Sequence, residues 1–578
     1  MACQYTFTQL SKNCRKNLSD LPKYRLALLG DCATQHMATA LRGYACTKKF
    51  ELEVFDADYD QILPQVMDSK SEMYEFKPDA VLIYMCVEKL YMLWCETPSS
   101  ERMVFADSVF LQIKEYWGYI SANCDARILQ FTFAENDDLV FGNYGCKQQI
   151  SFIYQLRKLN LHLMDGCIEN KNVFLIDLCS VQARIGRENL FAPKLYHVAK
   201  MPISLAVLPV VAASVIDVVQ SLRGIIKKCA ILDLDNTLWG GVIGDDGLSG
   251  IEIGELGLGH AFSDFQAWLK ELKNRGVLLA VCSKNDKAIA EEPFEKHSEM
   301  LLKLEDFSIF VANWEDKASN IRHIQKTLNI GMDSLVFIDD NPFERDLVRT
   351  LLPEVTVPEL PEDPAEYLAF LQSQNLFETA SFSDADTMRT SQYRAEAQRE
   401  SMQQQYGSFD EYLQNLEMIA VAAPFDEFHI PRIAQLTQRS NQFNLRTIRY
   451  TEAEIEAAAN DTNRITLYFT LKDKLVDHGL ISVVIMEKRD GKNLFVNTWL
   501  MSCRVLKRGM EEFIVNKMIE TGKQYGFETV TGEYIKTPKN AMVADIYQKL
   551  GFVRTDENTF TANVANFIYN KTFIEEKK

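Results

Sequence analysis

Short apolar runs recur along the first two hundred residues, and stretches of helical character separate them. The runs are Tyr24–Leu29, Ala80–Tyr84, Arg127–Phe131 and Val173–Ile176. Buried strands that alternate with helices form a parallel sheet with helices on both faces. We therefore expect residues 1–222 to form a doubly wound α/β domain.

The rest of the chain divides into three further segments. Residues 223–358 again place apolar runs between helical stretches. Residues 359–417 are polar and rich in Gln, Glu, Arg and Ser, which suits a linker of exposed helices. From 418 to 578, runs such as Ile465–Phe469, Leu480–Ile485 and Leu494–Thr498 predict antiparallel strands followed by helices. The pattern predicts a multidomain α/β protein.

Composition narrows the function classes. The 578 residues are too many for one core, and 47% hydrophobic with 25% charged residues is ordinary for a soluble globular protein. A net charge of −18 disfavours a nucleic-acid partner, which would need a basic face. No apolar stretch is long enough to span a membrane, and the first residues lack a basic-then-apolar leader. The thirteen cysteines include no Cys-x-x-Cys pair, so we expect reduced thiols and a cytoplasmic protein.

The strongest chemical signal is the decamer at 230–239, which reads AILDLDNTLW. Its apolar run ends in Asp233 and Asp235, and Thr237 follows. Residues i and i+2 of a strand project to the same face, so both carboxylates should meet at the carboxyl edge of a sheet. Crowded carboxylates imply Mg²⁺, an acid/base role, or both. The alternative is a buried strand whose acidic end only caps a helix.

Three more motifs follow in order. Ser283 ends the apolar run Val277–Cys282, Lys317 lies in the segment WEDK, and Asp339 and Asp340 follow the run 335–338. With the Asp-x-Asp-x-Thr motif, this set resembles the haloacid dehalogenase (HAD) phosphohydrolase superfamily. Four motifs in the right order are far more specific than one.

The HAD resemblance implies a role for each of these side chains. Asp233 would be the nucleophile that forms an aspartyl-phosphate, and Asp235 the general acid and then base. Ser283 would bind the phosphoryl group, and Lys317 would steady it. Magnesium would lie among Asp233, the backbone carbonyl of Asp235, and Asp340 or Asp339.

The segment between the first two motifs is short. Residues 240–260 are rich in glycine and suit a tight flap, and Ala261–Lys273 predicts one amphipathic helix. This leaves no room for the separate cap domain that many HAD proteins place over small substrates. We expect a HAD-like Rossmannoid domain without a cap, open to a bulky substrate unless another domain closes it.

In the N-terminal domain, Gly30-Asp31-Cys32 resembles the strand-end motif of SGNH hydrolases, with cysteine at the position of their serine nucleophile. Asn143 and His197 lie roughly where that fold places its Asn block and terminal His. The family's Asp-x-x-His pattern is absent at His197. Catalysis by Cys32 with His197 is one interpretation, and a structural Gly-Asp turn is the other.

Near the C-terminus, Asn540, Tyr547 and Gly551-Phe552 resemble the last motif of GNAT acyltransferases, which implies an α+β fold. In that family Tyr547 would protonate the departing thiolate. The preceding loop resembles the one that binds the pyrophosphate of a phosphopantetheine arm, although Leu506 and Glu511 depart from its pattern. The candidate cofactor-binding residues are Arg504, Lys507, Arg508, Gly509 and Asn540. The alternative is a solvated cationic helix start.

The three domains in this order resemble the FkbH family. Its better-understood members load a glyceryl unit from 1,3-bisphosphoglycerate onto the phosphopantetheine thiol of an acyl carrier protein. The resemblance implies Mg²⁺, a small phosphorylated substrate, a carrier-protein partner and a carrier-bound or CoA phosphopantetheine. Cys282, beside Ser283, is a candidate acyl carrier, with Lys284 and Lys317 as activating cations; the alternative is a buried strand-end thiol.

Three functional hypotheses follow from the sequence. The first is an enzyme that couples phosphate removal to acyl transfer onto a carrier thiol. The second is a plain Mg²⁺-dependent phosphatase acting on a bulky or carrier-bound phosphoester in a polysaccharide, lipid or secondary-metabolite pathway. The third is a biosynthetic scaffold with decayed domains, which the intact phosphatase motifs of the middle domain disfavour.

Overall fold

The computed structural model describes residues 5–16, 18, 20–382, 389–390, 392–393, 395, 406, 408–489 and 492–577. The chain forms two compact units, Met1–Gln220 and Ser221–Lys578. Within the described ranges, no helix combines the length and the hydropathy that crossing a bilayer requires.

The first unit is built on a parallel sheet, as the apolar runs predict. Its described strands are β1 (Lys23–Gly30), β2 (Glu51–Asp56), β3 (Ala80–Tyr84), β4 (Arg127–Phe131) and β5 (Val173–Ile176), in the spatial order β2-β1-β3-β4-β5. Every pair is parallel. The chain leaves β1 toward β2 and then crosses to β3, so the strand order reverses between β1 and β3.

Helices connect these strands, and one strand was missed at the sequence level. The helices are α1 (Phe7–Asn13), α2 (Gln35–Thr47), α3 (Ile62–Met67), α4 (Glu72–Glu75), α5 (Val87–Glu96), α6 (Phe105–Asn123), α7 (Phe152–Glu169), α8 (Leu178–Ile185), α9 (Arg187–Leu190), α10 (Pro193–Ala199) and α11 (Leu208–Leu222). Strand β2 was not predicted because it lies at the sheet edge and buries only Leu52.

The second unit begins with another parallel sheet. Its strands are β6 (Cys229–Leu232), β7 (Leu278–Ser283), β8 (Phe307–Ala312) and β9 (Leu335–Ile338), in the order β8-β7-β6-β9. The helices around it are α12 (Ile243–Asp246), α13 (Leu258–Asn274), α14 (Lys287–Lys296), α15 (Lys317–Leu328), α16 (Pro342–Leu351) and α17 (Tyr367–Ser373). The central strand β6 therefore has β7 on one side and β9 on the other.

A mixed sheet forms the C-terminal half of this unit. Its strands are β10 (Ile419–Ala423), β11 (Arg464–Lys472), β12 (Asp477–Arg489), β13 (Asn493–Met501), β14 (Thr529–Glu533), β15 (Val553–Arg554), β16 (Thr559–Asn563) and β17 (Glu575–Glu576). The order is β15-β16-β14-β13-β12-β11-β10-β17, and β13/β14 and β10/β17 are the parallel pairs. The helices are α18 (Phe409–Asn415), α19 (Ile430–Arg439), α20 (Glu452–Asn460), α21 (Met510–Gln524) and α22 (Ile546–Lys549).

The expectation of exposed helices over 359–417 is wrong for the described parts of that segment. Tyr367 and Leu371, four residues apart on α17, are buried in the core around β6 together with Phe377. Leu413 of α18 is buried in the core of the C-terminal sheet. Most of 383–407 lies outside the described residues.

Candidate active site

The parallel register brings three carboxylates together at the carboxyl edge of the β6 sheet. Leu232 pairs with Ile338 of β9 and with Val281 of β7, so the residues that follow these strands are neighbours. The backbone N–H of Asp233 donates to the carbonyl of Ile338 at 3.0 Å. One carboxylate oxygen each from Asp233, Asp339 and Asp340 lies within 4.8 Å of the others.

Lys317, the first residue of α15, bridges two of these carboxylates. Its Nζ lies 2.9 Å from Oδ2 of Asp233 and 2.5 Å from Oδ2 of Asp339. Burial alone would lower the pKa of Lys317, but the two carboxylates outweigh burial and raise it. Burial and the charge of Asp233 raise the pKa of Asp339 to about 7. The lysine is thus a fixed cation inside the acidic cluster.

Two neighbouring groups hold the loop that carries Asp339 and Asp340. The hydroxyl of Thr237 donates to Oδ1 of Asp340 at 3.2 Å and accepts from its backbone N–H at 3.1 Å. Buried Arg345 donates to the backbone carbonyls of Asp339 and Asp340 at 2.9 and 2.5 Å. The Thr237 hydroxyl therefore holds the Asp340 carboxylate and its backbone in place.

The carboxylate of Asp235 faces the flap rather than the acidic cluster. Its Oδ1 accepts from the indole N–H of Trp239 at 3.1 Å and from the backbone N–H of Ile243 at 3.0 Å. Its Oδ2 accepts from the amide of Asn285 at 3.2 Å. Burial raises the pKa of Asp235. Asn285 is not among the sequence-predicted site residues, although its place two residues after Ser283 is a signal that could have identified it.

At the end of β7, Ser283 is buried at the same sheet edge. Cys282 is fully buried, its Sγ lies 3.8 Å from the carbonyl of Lys317, and burial raises its pKa to about 12. A protonated, enclosed thiol is a poor nucleophile. Acyl carriage by Cys282 stays a prediction, and its surroundings favour the buried strand-end alternative.

The connection from β6 to β7 holds no folded lobe. Residues 233–277, all of them described, form three parts. These are a flap in which Gly240 pairs with Glu252, the single turn α12, and the helix α13. The geometry agrees with the expected flap and amphipathic helix. This edge therefore offers carboxylate oxygens, which suit a hard divalent cation such as Mg²⁺, beside a fixed lysine.

In the C-terminal half, two of the three candidate cofactor-binding cations, Arg504 and Arg508, are buried. Arg508 donates to Nε2 of His478 at 2.9 Å and lies 3.4 Å from Asp473. Arg504 donates from Nε to the hydroxyl of Ser502 at 3.0 Å. Lys507 alone of the three is exposed. Arg504 and Arg508 therefore contact side chains of the C-terminal half itself.

At the helix start, residues 509–511, a side chain of the same helix accepts a backbone N–H of the preceding loop. Gly509 has a φ of +82° and precedes α21. The buried Glu511 accepts from the backbone N–H of Lys507 at 3.1 Å, so its carboxylate lies where the resemblance would put a pyrophosphate. Asn540 donates to the carbonyls of Asn444 and Ile535, both at 2.9 Å, and is fully buried. Phosphopantetheine binding by these residues stays a prediction.

The side chain of Tyr547 lies in the core of the C-terminal sheet. Its ring packs against Gly532, where an added Cβ would lie 2.1 Å from the tyrosine ring, and against Trp499 and Phe560. Its hydroxyl is buried without a hydrogen-bond partner among the described residues, and burial raises its pKa. The surroundings of Tyr547 are those of a core residue rather than of a proton donor.

In the N-terminal unit, Cys32 is buried at the end of β1, and a hydrogen bond with Cys86 together with burial raises its pKa. His197 is exposed on α10, and its ring lies 5.9 Å from that of Tyr196. The thiol therefore lacks the low pKa that a nucleophile of the expected kind needs.

The first unit and the phosphatase motifs both have counterparts among known proteins. A family model described as FkbH, N-terminal domain, matches residues 25–220. The crystal structure of the N-terminal part of the protein BF1531 from Bacteroides fragilis, containing a phosphatase domain complexed with Mg, is 46% identical. It covers 65% of this chain and 100% of that chain, with a TM-score of 0.63. The chain belongs to the BF1531 family. The match to the FkbH N-terminal domain model lies within the first unit, Met1–Gln220.

Other solved structures match a smaller part of this chain. The ribosomal-protein-S18-alanine N-acetyltransferase from Escherichia coli is 12% identical, covering 25% of this chain and 94% of that chain, with a TM-score of 0.20. Spermidine N-acetyltransferase from Vibrio cholerae in complex with CoA and spermine is 11% identical, covering 25% and 96%, with a TM-score of 0.21. Scores this low carry no inference about the C-terminal residues. No curated protein matches the chain.

Proposed function

We propose that the protein is a Mg²⁺-dependent phosphohydrolase or phosphotransferase that works through an aspartyl-phosphate on Asp233. The observation that carries this proposal is the cluster of Asp233, Asp339 and Asp340 around the Nζ of Lys317. The phosphatase domain of BF1531, complexed with Mg, supports it.

The residues divide the reaction between them. A carboxylate oxygen of Asp233 attacks phosphorus as the bond to the leaving oxygen breaks, and Asp235 gives that oxygen its proton. Water then attacks phosphorus and gives a proton back to Asp235. The bond between phosphorus and Asp233 breaks, which restores the Asp233 carboxylate. Lys317 stabilises the negative charge of the transferring group.

The carboxylates of Asp233, Asp339 and Asp340 would hold Mg²⁺. The ion would supply charge neutralisation that one lysine cannot provide among three carboxylates. The oxygen donor set fits this ion.

The finer proposal is that phosphate removal is coupled to acyl loading onto a carrier protein. The FkbH N-terminal domain at 25–220 supports it, as does the lack of a folded lobe within 233–277. The substrate would be small and phosphorylated, such as 1,3-bisphosphoglycerate, and the acceptor would be a carrier-bound phosphopantetheine thiol. The competing proposal is a plain phosphatase acting on a bulky phosphoester.

Incubation with Mg²⁺, 1,3-bisphosphoglycerate and a panel of carrier proteins separates these proposals. Acylated carrier plus released phosphate supports the coupled reaction, and phosphate alone supports the plain phosphatase. Absence of both products contradicts the coupled reaction, and absence of phosphate release from a panel of bulky phosphoesters contradicts the plain phosphatase. Asp233→Asn should release no phosphate, whereas Asp264→Asn, a change at an exposed acid on α13, should behave as wild type.

A further inference from the structure

A second cluster of potential metal ligands lies in the first unit, away from the phosphatase motifs. One atom each from Asp31, Cys32 and Cys86 lies within 4.8 Å of the others, and all three residues are buried. Asp31 and Cys32 follow β1, and Cys86 follows β3. The HAD mechanism proposed above uses none of them.

The backbone fixes this arrangement. The N–H of Asp31 donates to the carbonyl of Tyr84 at 3.3 Å, and Oδ1 of Asp31 accepts from the N–H of Cys86 at 2.8 Å. Gly30 leaves room for Thr34, because a Cβ there would lie 2.5 Å from its Cγ2. The two strand ends are therefore tied together with both thiols beside one carboxylate.

The cluster lies where this fold class places its ligands. The order β2-β1-β3-β4-β5 reverses between β1 and β3, and open α/β sheets bind ligands outside the carboxyl ends of strands at such a reversal. The three groups come from the two strands that flank it. Position and donor chemistry are two independent observations.

We propose that Asp31, Cys32 and Cys86 bind a thiolate-preferring divalent metal ion of the Zn²⁺ class at the β1/β3 edge. Zn–S and Zn–O distances of about 2.3 and 2.1 Å in a tetrahedral site place ligand atoms roughly 3.5–3.8 Å apart, within the observed spacing. Binding releases the two thiol protons to solvent and forms two metal–sulfur bonds.

Glu88 lies near this cluster, but its carboxylate is outside the group of ligand atoms that lie within 4.8 Å of one another. Its Oε2 is buried without a hydrogen-bond partner among the described residues, and its charge acts on Cys32. Lys89, the adjacent cation, already pairs with Asp60. A bound cation would balance the thiolates and carboxylates that this pocket encloses.

The test is Co²⁺ titration of the full-length protein after chelation and reduction. Wild type should bind Co²⁺ with an intense thiolate-to-cobalt charge-transfer band, and Zn²⁺ should displace it. Cys32→Ser and Cys86→Ser should lose the band or weaken binding by at least about 100-fold, since outer-shell changes alone cost about 10–100-fold. Cys95→Ser, a change at an exposed thiol of α5, should retain the band.

Asp233→Asn should retain the band too, which separates this site from the phosphatase site and from the proposed function. Wild-type protein that gives no such band overturns the proposal whether or not the serine variants fold. A band that survives in both folded serine variants also overturns it, and so does a stable Cys32–Cys86 disulfide in protein whose reduced form binds no metal.

Discussion

At the scale of single residues, Asn285 defines the direction of the Asp235 carboxylate. Its amide is one of three donors to that carboxylate, and the other two, Trp239 and the N–H of Ile243, belong to the flap. Asn285→Ala should lower kcat for phosphate release by about tenfold with little change in KM, because it misdirects the acid without removing it. Steady-state kinetics against Asn274→Ala, an exposed amide on α13, measures this. An unchanged kcat would contradict the role.

Tyr547 differs from its sequence-based interpretation, since its motif implies an acid whereas its packing is that of a core residue. Its hydroxyl is buried without a partner among the described residues, so Tyr547→Phe should stabilise the fold by about 1 kcal/mol or leave it unchanged. Tyr534→Phe is the matched control; it removes a hydroxyl that donates to Asn540 at 3.3 Å and should cost about 1 kcal/mol. Denaturant unfolding compares the two. A stable Tyr547→Phe variant that loses acyl transfer would restore the acid role.

At the scale of elements, the start of α16 clamps the acidic loop. Arg345 of α16 donates to two loop carbonyls and to Glu359 at 2.6 Å. Arg345→Met should raise the Mg²⁺ concentration needed for half-maximal activity by about 10–100-fold. Arg349→Met, one turn further and more exposed, should change it much less. An equal Mg²⁺ requirement in both variants would count against the clamp.

Element by element, the sequence predicts best what is locally encoded. Strands β3, β4, β5 and β9 have the expected bounds because each is a largely apolar run in the sequence. Edge strands β2 and β8 were missed, since polar residues interrupt their apolar runs: Glu51 and Glu53 in β2, and Ser308 in β8.

In the candidate site too, the sequence predicts the locally encoded residues and misses those that depend on the fold. The order of the HAD motifs places Asp233, Lys317, Asp339 and Asp340 together, whereas the donors to Asp235 depend on how the flap folds. The charged residues of the C-terminal half were the hardest to place from the sequence. Arg508 looks solvated in the sequence, but it is buried against Asp473 and His478, about thirty residues earlier in the chain.

At the scale of the whole molecule, the two compact units should respond differently to Mg²⁺. An ion that binds only the folded phosphatase site stabilises it by about 2.7 kcal/mol at a hundred times its Kd. Calorimetry should show Mg²⁺ moving the transition of Ser221–Lys578 upward and leaving that of Met1–Gln220 in place. Asp233→Asn should abolish the shift. A shift of equal size in that variant would locate Mg²⁺ binding elsewhere.

The most direct test of the account is detection of the phosphorylated nucleophile. Asp235→Asn, with its acid and base removed, should accumulate a phosphate adduct when mixed with Mg²⁺ and acetyl phosphate, whose leaving group needs little protonation. Peptide mapping by mass spectrometry should place a hydroxylamine-sensitive phosphate on Asp233. Phosphate on any other residue, or undiminished phosphate release by Asp233→Asn, would contradict the account.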